Sequence, residues 1–459
     1  MEFISFIYSL LWGDLFVITL PNGSTIGISL LVLLLIPTGI YFTIRTKFLP
    51  IRLFGEMLRI SIKKDEKSSE DALSGMQALI VSTATRVGMG NMVGVVAAIS
   101  AGGAGAIFWM WLTALIGSST AFIEGTLAQI YKVKDPLYGG FKGGPSYYIH
   151  EFFSKGKKVS VIAILFALSA LLCFCGVSQV IGNSISSAFY NAFNIPPIVS
   201  TVIVVSLSAI IVLKKNATVK VLDIMVPIMA ALYFFVSIFV IVKNIHLMPS
   251  VFERIIQEAF GLRPMIAGGF GAALMNGVKR GLFSNEAGSG SAPCAAATSD
   301  VSHPAKAGLF QAFGVIIDTI VICTCTAMIM LLAPSELLNG LEGMTLLQTA
   351  MQYHFGNIGV IFIAVTLWLF SFSTFIGVLF YARSNVSYLF KDNWLSQTAF
   401  KIFALAMLFI GGLASYTFVW DLGDIGIGLM TVFNIITIVP MGKVALDSLK
   451  DYENKFIKK

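Results

Sequence analysis

The segment ALSGMQALIVSTATRVGMGNMVGVVAAIS, residues 72–100, decides the fold of this chain. It is apolar at both ends, but its middle carries Arg86, Gly88, Gly90 and Asn91. Glycine costs about 1 kcal/mol in a helix relative to alanine, and an arginine at the centre of a membrane helix costs roughly 2.5 to 3.5 kcal/mol. Unwound backbone at membrane depth is tolerated only where it is buried in protein or lines a cavity. The segment therefore predicts an interrupted membrane helix beside a binding site.

The composition of the whole chain agrees with a membrane protein. Of its 459 residues, 56% are apolar and only 12% are charged, with a mean hydropathy of +0.85, whereas soluble domains carry about 25% charged residues. The apolar runs are continuous and long enough to span a bilayer, which predicts a bundle of helices rather than a β-barrel. No GxxxxGK[ST] motif occurs, which argues against an ATP-driven pump. The net charge of +7 is explained below by topology, so no nucleic-acid partner is expected.

Apolar stretches bounded by charges or turn residues predict eleven transmembrane helices. They cover residues 26–44, 73–100, 105–131, 159–188, 197–213, 219–243, 265–283, 307–333, 357–382, 398–418 and 424–446. Residues 3–20 are also apolar and are expected to form an interfacial lead-in or a bent first half of span 1.

The distribution of lysine and arginine predicts the orientation of these spans, since basic residues accumulate in short cytoplasmic loops. With the first loop inside, the basic residues lie in the inside segments or near the predicted inner ends of the adjoining spans. The exceptions are Lys243, Arg254 and Arg263, which fall on the outside, and Arg86, which falls in the middle of a span. This predicts an N-terminus outside and a C-terminus in the cytoplasm.

Span 7 contains a second glycine-rich stretch, IAGGFGAALMNGVKRGLFSNEAGSGSAP, residues 266–293. Gly268, Gly269, Gly271, Asn276 and Gly277 predict a second interruption, although close helix packing through small residues is the alternative. Because five spans separate the starts of spans 2 and 7, the two segments cross in opposite directions. We therefore expect a 5+5 inverted repeat. The predicted divisions are residues 1–71 (lead-in, extra helix and loop), 72–243 (first repeat), 244–446 (second repeat) and 447–459 (cytoplasmic tail).

Three motifs carry a family resemblance: RVGMGNMVGVVAAISAGGAGAIFWMWLTALIGSSTAFIEGTLAQIYKVKD (86–135), GGFKGGPSYYI (139–149) and KRGLFSNEAGSGSAP (279–293). Together they closely resemble the alanine or glycine:cation symporter family. The resemblance implies a sodium-coupled carrier of small neutral amino acids in a bacterial or archaeal inner membrane. It also implies an all-α fold like that of the neurotransmitter:sodium symporters, preceded by one extra helix.

The resemblance also implies a substrate site and a sodium site. The backbone N–H groups of Met89 and Gly90 would bind the substrate carboxylate. The other residues implied for the substrate are Asn91, Gln179, Phe270, Leu274 and Val378. The sodium ligands would be the carbonyls of Ala84 and Val87 and the hydroxyls of Ser373 and Thr374.

Some of these residues have a simpler interpretation. Gln179 can be a bond between helices, and Phe270 and Leu274 have the spacing of ordinary packing. The hydroxyls of Ser373 and Thr374 can bond carbonyls of their own helix.

Two departures from the family pattern bear on specificity. Many members have threonine where this chain has Met89, so a hydroxyl ligand to the carboxylate is absent. Many also have a tryptophan where this chain has Gly377 and Val378, which leaves more room in the pocket. We therefore expect glutamine to be a candidate substrate beside alanine and glycine.

Several charged residues fall inside the predicted spans or at their ends, where ionisable groups usually pair or face a cavity. Glu124 is expected to accept hydrogen bonds from the span 7 interruption, with proton coupling as the alternative, and Asp318 can pair with Arg86. Lys279, Arg280 and Glu286 are placed at the inner end of span 7, as an intracellular gate or as a solvated helix end.

Three other functional classes compete with the sodium symporter. A proton-coupled carrier of the same fold would use Glu124 or Asp318. An ion channel would need a selectivity filter, and no TVGYG-like loop appears in the sequence. An enzyme is disfavoured because the sequence shows no nucleophile paired with a nearby histidine. The chain is expected to function as a monomer within the lipid bilayer.

Overall fold

The computed structural model describes residues 2–19, 25–62, 86–154, 156, 158–214, 218–262 and 269–457. Helices dominate these residues. In chain order they are α1 (Glu2–Trp12), α2 (Leu30–Arg45), α3 (Leu49–Arg52), α4 (Phe54–Ile62), α5 (Gly90–Gly102), α6 (Gly105–Ile130), α7 (Pro145–Ser154), α8 (Val161–Phe193), α9 (Pro197–Val212), α10 (Thr218–Lys243), α11 (Met248–Ala259), α12 (Gly269–Asn285), α13 (Pro293–Ala296), α14 (Pro304–Leu331), α15 (Ser335–Leu338), α16 (Gly343–Phe355), α17 (Asn357–Phe390), α18 (Trp394–Leu413) and α19 (Tyr416–Phe456).

A helix lies at each of the eleven predicted spans, although residues 73–85 of span 2 fall outside the described residues. Seven of these helices are long and apolar enough to cross a membrane: α6, α8, α10, α14, α17, α18 and α19. Three others, α2, α5 and α9, are apolar but shorter. The all-α membrane fold is confirmed, whereas the count of eleven crossings stays a prediction.

The outer surface of the bundle suits a lipid environment. Large apolar side chains are exposed on α9, α10, α17 and α18, and Phe235 on α10 is 68% exposed. Exposed apolar patches of this extent are rare on soluble monomers. These helix faces are therefore the ones expected to meet lipid.

The first apolar stretch forms a separate element rather than half of span 1. Helix α1 ends at Trp12 and is followed by an antiparallel pair of strands, β1 (Phe16–Thr19) and β2 (Thr25–Ile28). Helix α2 then begins after Ser29, whose hydroxyl accepts a hydrogen bond of 3.3 Å from the N–H of Val32. A second short pair, β3 (Val133–Lys134) and β4 (Phe141–Lys142), follows α6.

Two interruptions of the helical backbone lie in the centre of the bundle. In span 2, the backbone leaves the helix at Val87 and Gly88, and α5 then begins with a π-helical turn at Gly90–Gly94. In span 7, α12 ends at Asn285 and the chain is unwound until α13 begins at Pro293. We refer to these segments as the span 2 break and the span 7 break.

The span 7 break does not lie where the glycine count placed it. Gly271 and Gly277 are inside the regular helix α12, and Gly268 lies outside the described residues. A Cβ atom on Gly277 would be 2.4 Å from the Cβ of Trp109 on α6, so this glycine serves close helix packing. The break itself contains Glu286, Gly288 and Gly290, all with positive φ, and it terminates the helix there.

The two predicted repeats pack into each other. Helix α12 of the second repeat lies against α5 and α6 of the first, and α8 of the first repeat lies against α17, α18 and α19 of the second. This packing brings the two breaks together. Helix α14 contains a second π-helical stretch, Ile316–Cys323, which the sequence did not predict. The division of the chain into an inverted repeat stays a prediction.

Candidate functional site

The span 2 break is held by two hydrogen bonds to its backbone. The N–H of Gly88 donates to Oδ1 of Asn91 at 2.9 Å, which caps the start of α5. The N–H of Met89 donates to Oγ1 of Thr374 on α17 at 3.0 Å. The structure therefore brings one of the predicted sodium ligands directly against the predicted substrate-binding backbone.

The span 7 break is held by Glu124 and Asn434, which are fully buried on α6 and α19. Oε2 of Glu124 accepts a 3.0 Å hydrogen bond from the N–H of Gly288, and Nδ2 of Asn434 donates to the carbonyl of Gly288 at 2.9 Å. Asn434 also donates to Oε1 of Glu124. An unwound backbone buried in protein needs such partners. The structure thus places Glu124 at the span 7 break, as the structural interpretation of this residue requires.

A cavity of about 30 Å³ lies between the two breaks. Its walls come from both breaks and from α8, α12, α17 and α19. The lining residues are Met89, Gly90, Cys173, Phe174, Val177, Phe283, Glu286, Ser291, Thr374, Val378, Ile427 and Met430. The volume is that of one or two water molecules. Its walls must separate before an amino acid can enter.

Glu286 is the one acidic side chain among these lining residues. It is the first residue of the span 7 break, and Oε2 accepts a 2.8 Å hydrogen bond from the hydroxyl of Ser291. Glu286 was expected at the inner end of span 7, as part of a gate or of a solvated helix end, but it lies at the break instead. The unwound backbone places Glu286 on the wall of the central cavity.

Asp318, on the π-helical stretch of α14, connects the two halves. Oδ1 accepts from Nδ2 of Asn91 at 2.7 Å, and Oδ2 accepts from the hydroxyls of Ser284 at 3.0 Å and Thr319 at 2.6 Å. The suggested pair with Arg86 is not formed. Nη1 of Arg86 instead donates to a main-chain carbonyl of α14 at 3.0 Å. Asn91 is therefore not among the residues that line the cavity. Its side chain connects the span 2 break to Asp318 of α14.

The predicted sodium ligands are partly described. Ala84 lies outside the described residues, and Val87 is fully buried at the span 2 break. The hydroxyls of Ser373 and Thr374 each donate to the carbonyl of Phe370 at 2.8 Å, as the simpler interpretation expects. Donating that hydrogen leaves the hydroxyl oxygens as acceptors. The oxygen of Thr374 faces the unwound backbone, where it accepts from the N–H of Met89, and neutral oxygens of this kind suit a hard monovalent cation.

Three predicted substrate residues lie away from the cavity. Phe270 and Leu274 are near the start of α12, where they pack with Val32 and Trp109. Gln179 points toward α18, with Nε2 3.4 Å from Sδ of Met407. A helix turns about 100° per residue, so Gln179 faces away from the cavity that its neighbours on α8 line.

In place of those residues, aromatic and apolar side chains form the wall. Phe283 is two residues before Asn285, where α12 ends, and Phe174 and Val177 lie one turn apart on α8. Phe283 stands within the motif KRGLFSNEAGSGSAP, so that motif contained the signal. Phe174 and Val177 had no distinguishing signal, because the sequence around them, SALLCFCGV (169–177), is mostly apolar.

Lys279 and Arg280 form a buried ion-pair cluster with Asp424 of α19, which we call the gate triad. Nζ of Lys279 is 2.6 Å from Oδ2 of Asp424, and Nη1 of Arg280 is 3.0 Å from Oδ1. The guanidinium also lies 3.8 Å from the centre of the Trp420 ring. The expectation of a solvated helix end is wrong, because both residues precede the break within α12 and are less than 8% exposed. Asp424 was not singled out by the sequence.

Two interrupted helices that meet at a central cavity, within an all-α membrane fold, define a membrane transport protein of the broken-helix class. The particular family follows from comparison with known proteins. The chain matches the sodium:alanine symporter family over residues 15–459 and belongs to that family. This assigns it to transport rather than catalysis and makes it a multi-pass membrane protein.

Individual proteins show how far the similarity extends. The chain is 43% identical to a probable sodium/glutamine symporter, GlnT, of Bacillus subtilis, with 92% of this chain and 87% of that protein covered. It is 39% identical to YrbD, a putative sodium/proton-dependent alanine carrier of the same organism, with 92% and 89% covered.

A solved structure shares the fold at low sequence identity. The structure of MhsT in complex with L-phenylalanine has a TM-score of 0.52 and 14% identity, and covers 83% of this chain and 96% of MhsT. This confirms the predicted fold of the neurotransmitter:sodium symporter type.

Proposed function

We propose that this protein carries small neutral amino acids together with sodium by alternating access. The observation that carries the proposal is the hydrogen bond between the N–H of Met89 and Oγ1 of Thr374. It joins the backbone expected to bind the substrate carboxylate to a hydroxyl expected to bind sodium. A cation held by Thr374 and by the carbonyl of Val87 would fix the span 2 break in the shape that receives the carboxylate. Binding of either ligand would then favour binding of the other, which is the thermodynamic basis of coupling.

The substrate would lie in the central cavity as a zwitterion. Its carboxylate would meet the N–H of Gly90 at the span 2 break, and that of Met89 once this N–H is released from Thr374. Its ammonium group would meet the carboxylate of Glu286, a residue that lines the same cavity. The side chain would contact Phe174 and Val378. This arrangement provides one partner for each charge and an apolar wall for the remainder.

Alanine, glycine and glutamine are the proposed substrates. Val378 lines the cavity, so a tryptophan in its place would remove space next to the substrate side chain. Similarity to a probable sodium/glutamine symporter supports the larger substrate. Gln179 lies outside the cavity, so the proposal for glutamine rests on volume rather than on a bond to that amide.

The sodium site is tested by replacing Ser373 and Thr374 together with alanine and measuring labelled alanine uptake into proteoliposomes at graded sodium concentrations. We expect the sodium concentration for half-maximal uptake to rise at least about tenfold, since two oxygen ligands are lost. Thr366→Ala is the matched control, because Thr366 is on the same helix and donates to the Phe362 carbonyl at 2.7 Å. An unchanged sodium response in the double variant would overturn the proposed site.

Proton coupling is the second candidate, and a specific observation favours it. The sequence suggested Glu124 or Asp318 for this role, but neither is among the residues that line the cavity. Glu286 is, and a related protein is named a putative sodium/proton-dependent alanine carrier. Uptake driven by an imposed proton gradient in sodium-free buffer, and lost in Glu286→Gln, would support this candidate over the first.

The remaining proposals concern placement. The N-terminus would face outside and the C-terminus the cytoplasm, in the inner membrane of a bacterium or archaeon, with the chain acting as a monomer. In this orientation the gate triad lies on the outer side of the cavity, because α12 runs inward from the outside loop.

A further inference from the structure

The N-terminal helix α1 packs directly on the gate triad. Leu11 and Trp12 are 2% and 4% exposed at the end of this helix, against α19. A Cβ atom on Gly428 of α19 would be 3.0 Å from Cδ1 of Leu11 and 3.4 Å from Nε1 of Trp12, so α19 carries a glycine where α1 approaches. Helix α1 is therefore a fitted part of the bundle at this point.

Two side chains of α1 make polar contacts with the triad. Nε1 of Trp12 donates to the main-chain carbonyl of Asp424 at 3.0 Å. Lys279 donates to the hydroxyl of Tyr8, and its Nζ atom lies 4.6 Å from the centre of the Tyr8 ring and 5.3 Å from that of Trp12. An ammonium near aromatic rings is attracted to them, more so when it is desolvated.

These contacts surround Lys279 on two sides. Asp424 binds its ammonium from α19, while Tyr8 and Trp12 bind it from α1. Arg280 is held separately by Asp424 and the Trp420 ring. If α12 and α19 separate to admit substrate, Lys279 must lose its contact either with Asp424 or with Tyr8 and Trp12 of α1. Trp12 must either move together with Asp424 or lose its hydrogen bond to that residue.

We propose that Tyr8 and Trp12 are positioning residues of the outer gate, which hold Lys279 and Asp424 in the closed arrangement. This inference rests on the proposed alternating-access function. It assigns a role in transport to a segment that precedes the helices of the substrate site. Loosening α1 is expected to raise the population of the outward-open state without altering any residue that lines the cavity.

Cys173 provides the readout, because it lines the central cavity and is 4% exposed. Intact cells expressing the protein are treated, without substrate, with a membrane-impermeant maleimide, and the labelling rate of Cys173 is followed by peptide mass spectrometry. We expect Tyr8→Phe and Trp12→Phe each to raise the rate about fivefold, because each removes one hydrogen bond from the closed gate. Leu10→Ala is the matched control, since Leu10 is on the same helix but is 48% exposed.

Coupling between α1 and the triad is tested in a second background. In Lys279→Met, Tyr8→Phe is expected to have no additional effect on labelling, because its partner is already absent. Equal labelling in the wild type, Tyr8→Phe and Trp12→Phe would overturn the inference, as would full additivity with Lys279→Met. The labelling requires no sodium-driven uptake. The proposed function is tested separately: it would be refuted if amino-acid uptake by the wild-type protein did not depend on sodium.

Discussion

Replacing Asp424 with asparagine tests the gate triad most sharply. Asp424 is 1% exposed and is the anion for both Lys279 and Arg280, which are 5% and 7% exposed. Removing one partner of a buried ion pair costs about 3 to 5 kcal/mol, because it leaves an unpaired buried charge. Here two adjacent cations lose their shared partner, so we expect a loss of stability at the upper end of that range.

The assay is reversible unfolding of the purified protein in mixed micelles, compared with a variant at a more exposed pair. Glu453→Gln is that control, because Glu453 and Arg52 are 2.7 Å apart but their side chains are 16% and 34% exposed. An exposed pair contributes only about 0 to 1 kcal/mol. If Asp424→Asn loses no more stability than Glu453→Gln, the triad does not hold α12 to α19 and the reasoning fails.

Three further predictions concern the cavity and the breaks. Gly90→Val is expected to abolish uptake and also to lower the folded yield, because a Cβ atom there is already 3.3 Å from Cα of Ser284; normal uptake by a well-folded variant would contradict this. Val378→Trp is expected to weaken glutamine uptake at least about tenfold more than alanine uptake, and equal effects in parallel competition assays would remove glutamine from the proposal. Glu124→Ala is expected to lower stability by about 1 to 3 kcal/mol by leaving the N–H of Gly288 without its acceptor, whereas Glu124→Gln keeps an acceptor oxygen and is expected to lose less.

The positions of the spans were predictable because bilayer thickness imposes long apolar runs, and helices lie at each of them. Hydropathy does not show how far a helix continues beyond the membrane into water. Helix α17 runs to Phe390 and α19 to Phe456, beyond the predicted limits at 382 and 446. The ends were therefore less predictable than the existence of the helices.

The two breaks illustrate the limit of a composition argument. Glycine, asparagine and arginine coincide in span 2, and the backbone leaves helical geometry there. In span 7 the early glycines serve packing, as at Gly277 against Trp109, and the chain unwinds only at Glu286. The sequence alone does not distinguish a glycine that permits close helix packing from one that permits a positive φ.

Contacts between residues far apart in the chain could not be predicted from the sequence, for a different reason. Arg280 and Asp424 are 144 positions apart, and Gln179 and Met407 are 228 apart. Which face of a buried helix points to the cavity depends on the packing of its neighbours. The residues of span 2 were enough to predict its break. The family resemblance placed Thr374 beside that break, where the structure has it, but it also placed Gln179, Phe270 and Leu274 at the cavity, which they do not line.

The central claim is sodium-coupled amino-acid transport, and uptake by the wild-type protein in proteoliposomes tests it most directly. Labelled alanine or glutamine is added outside vesicles under an inward sodium gradient, an inward proton gradient without sodium, or neither. The account predicts accumulation above the external concentration under the sodium gradient alone, and its collapse when a sodium ionophore is added. Accumulation that follows the proton gradient and ignores sodium would contradict it.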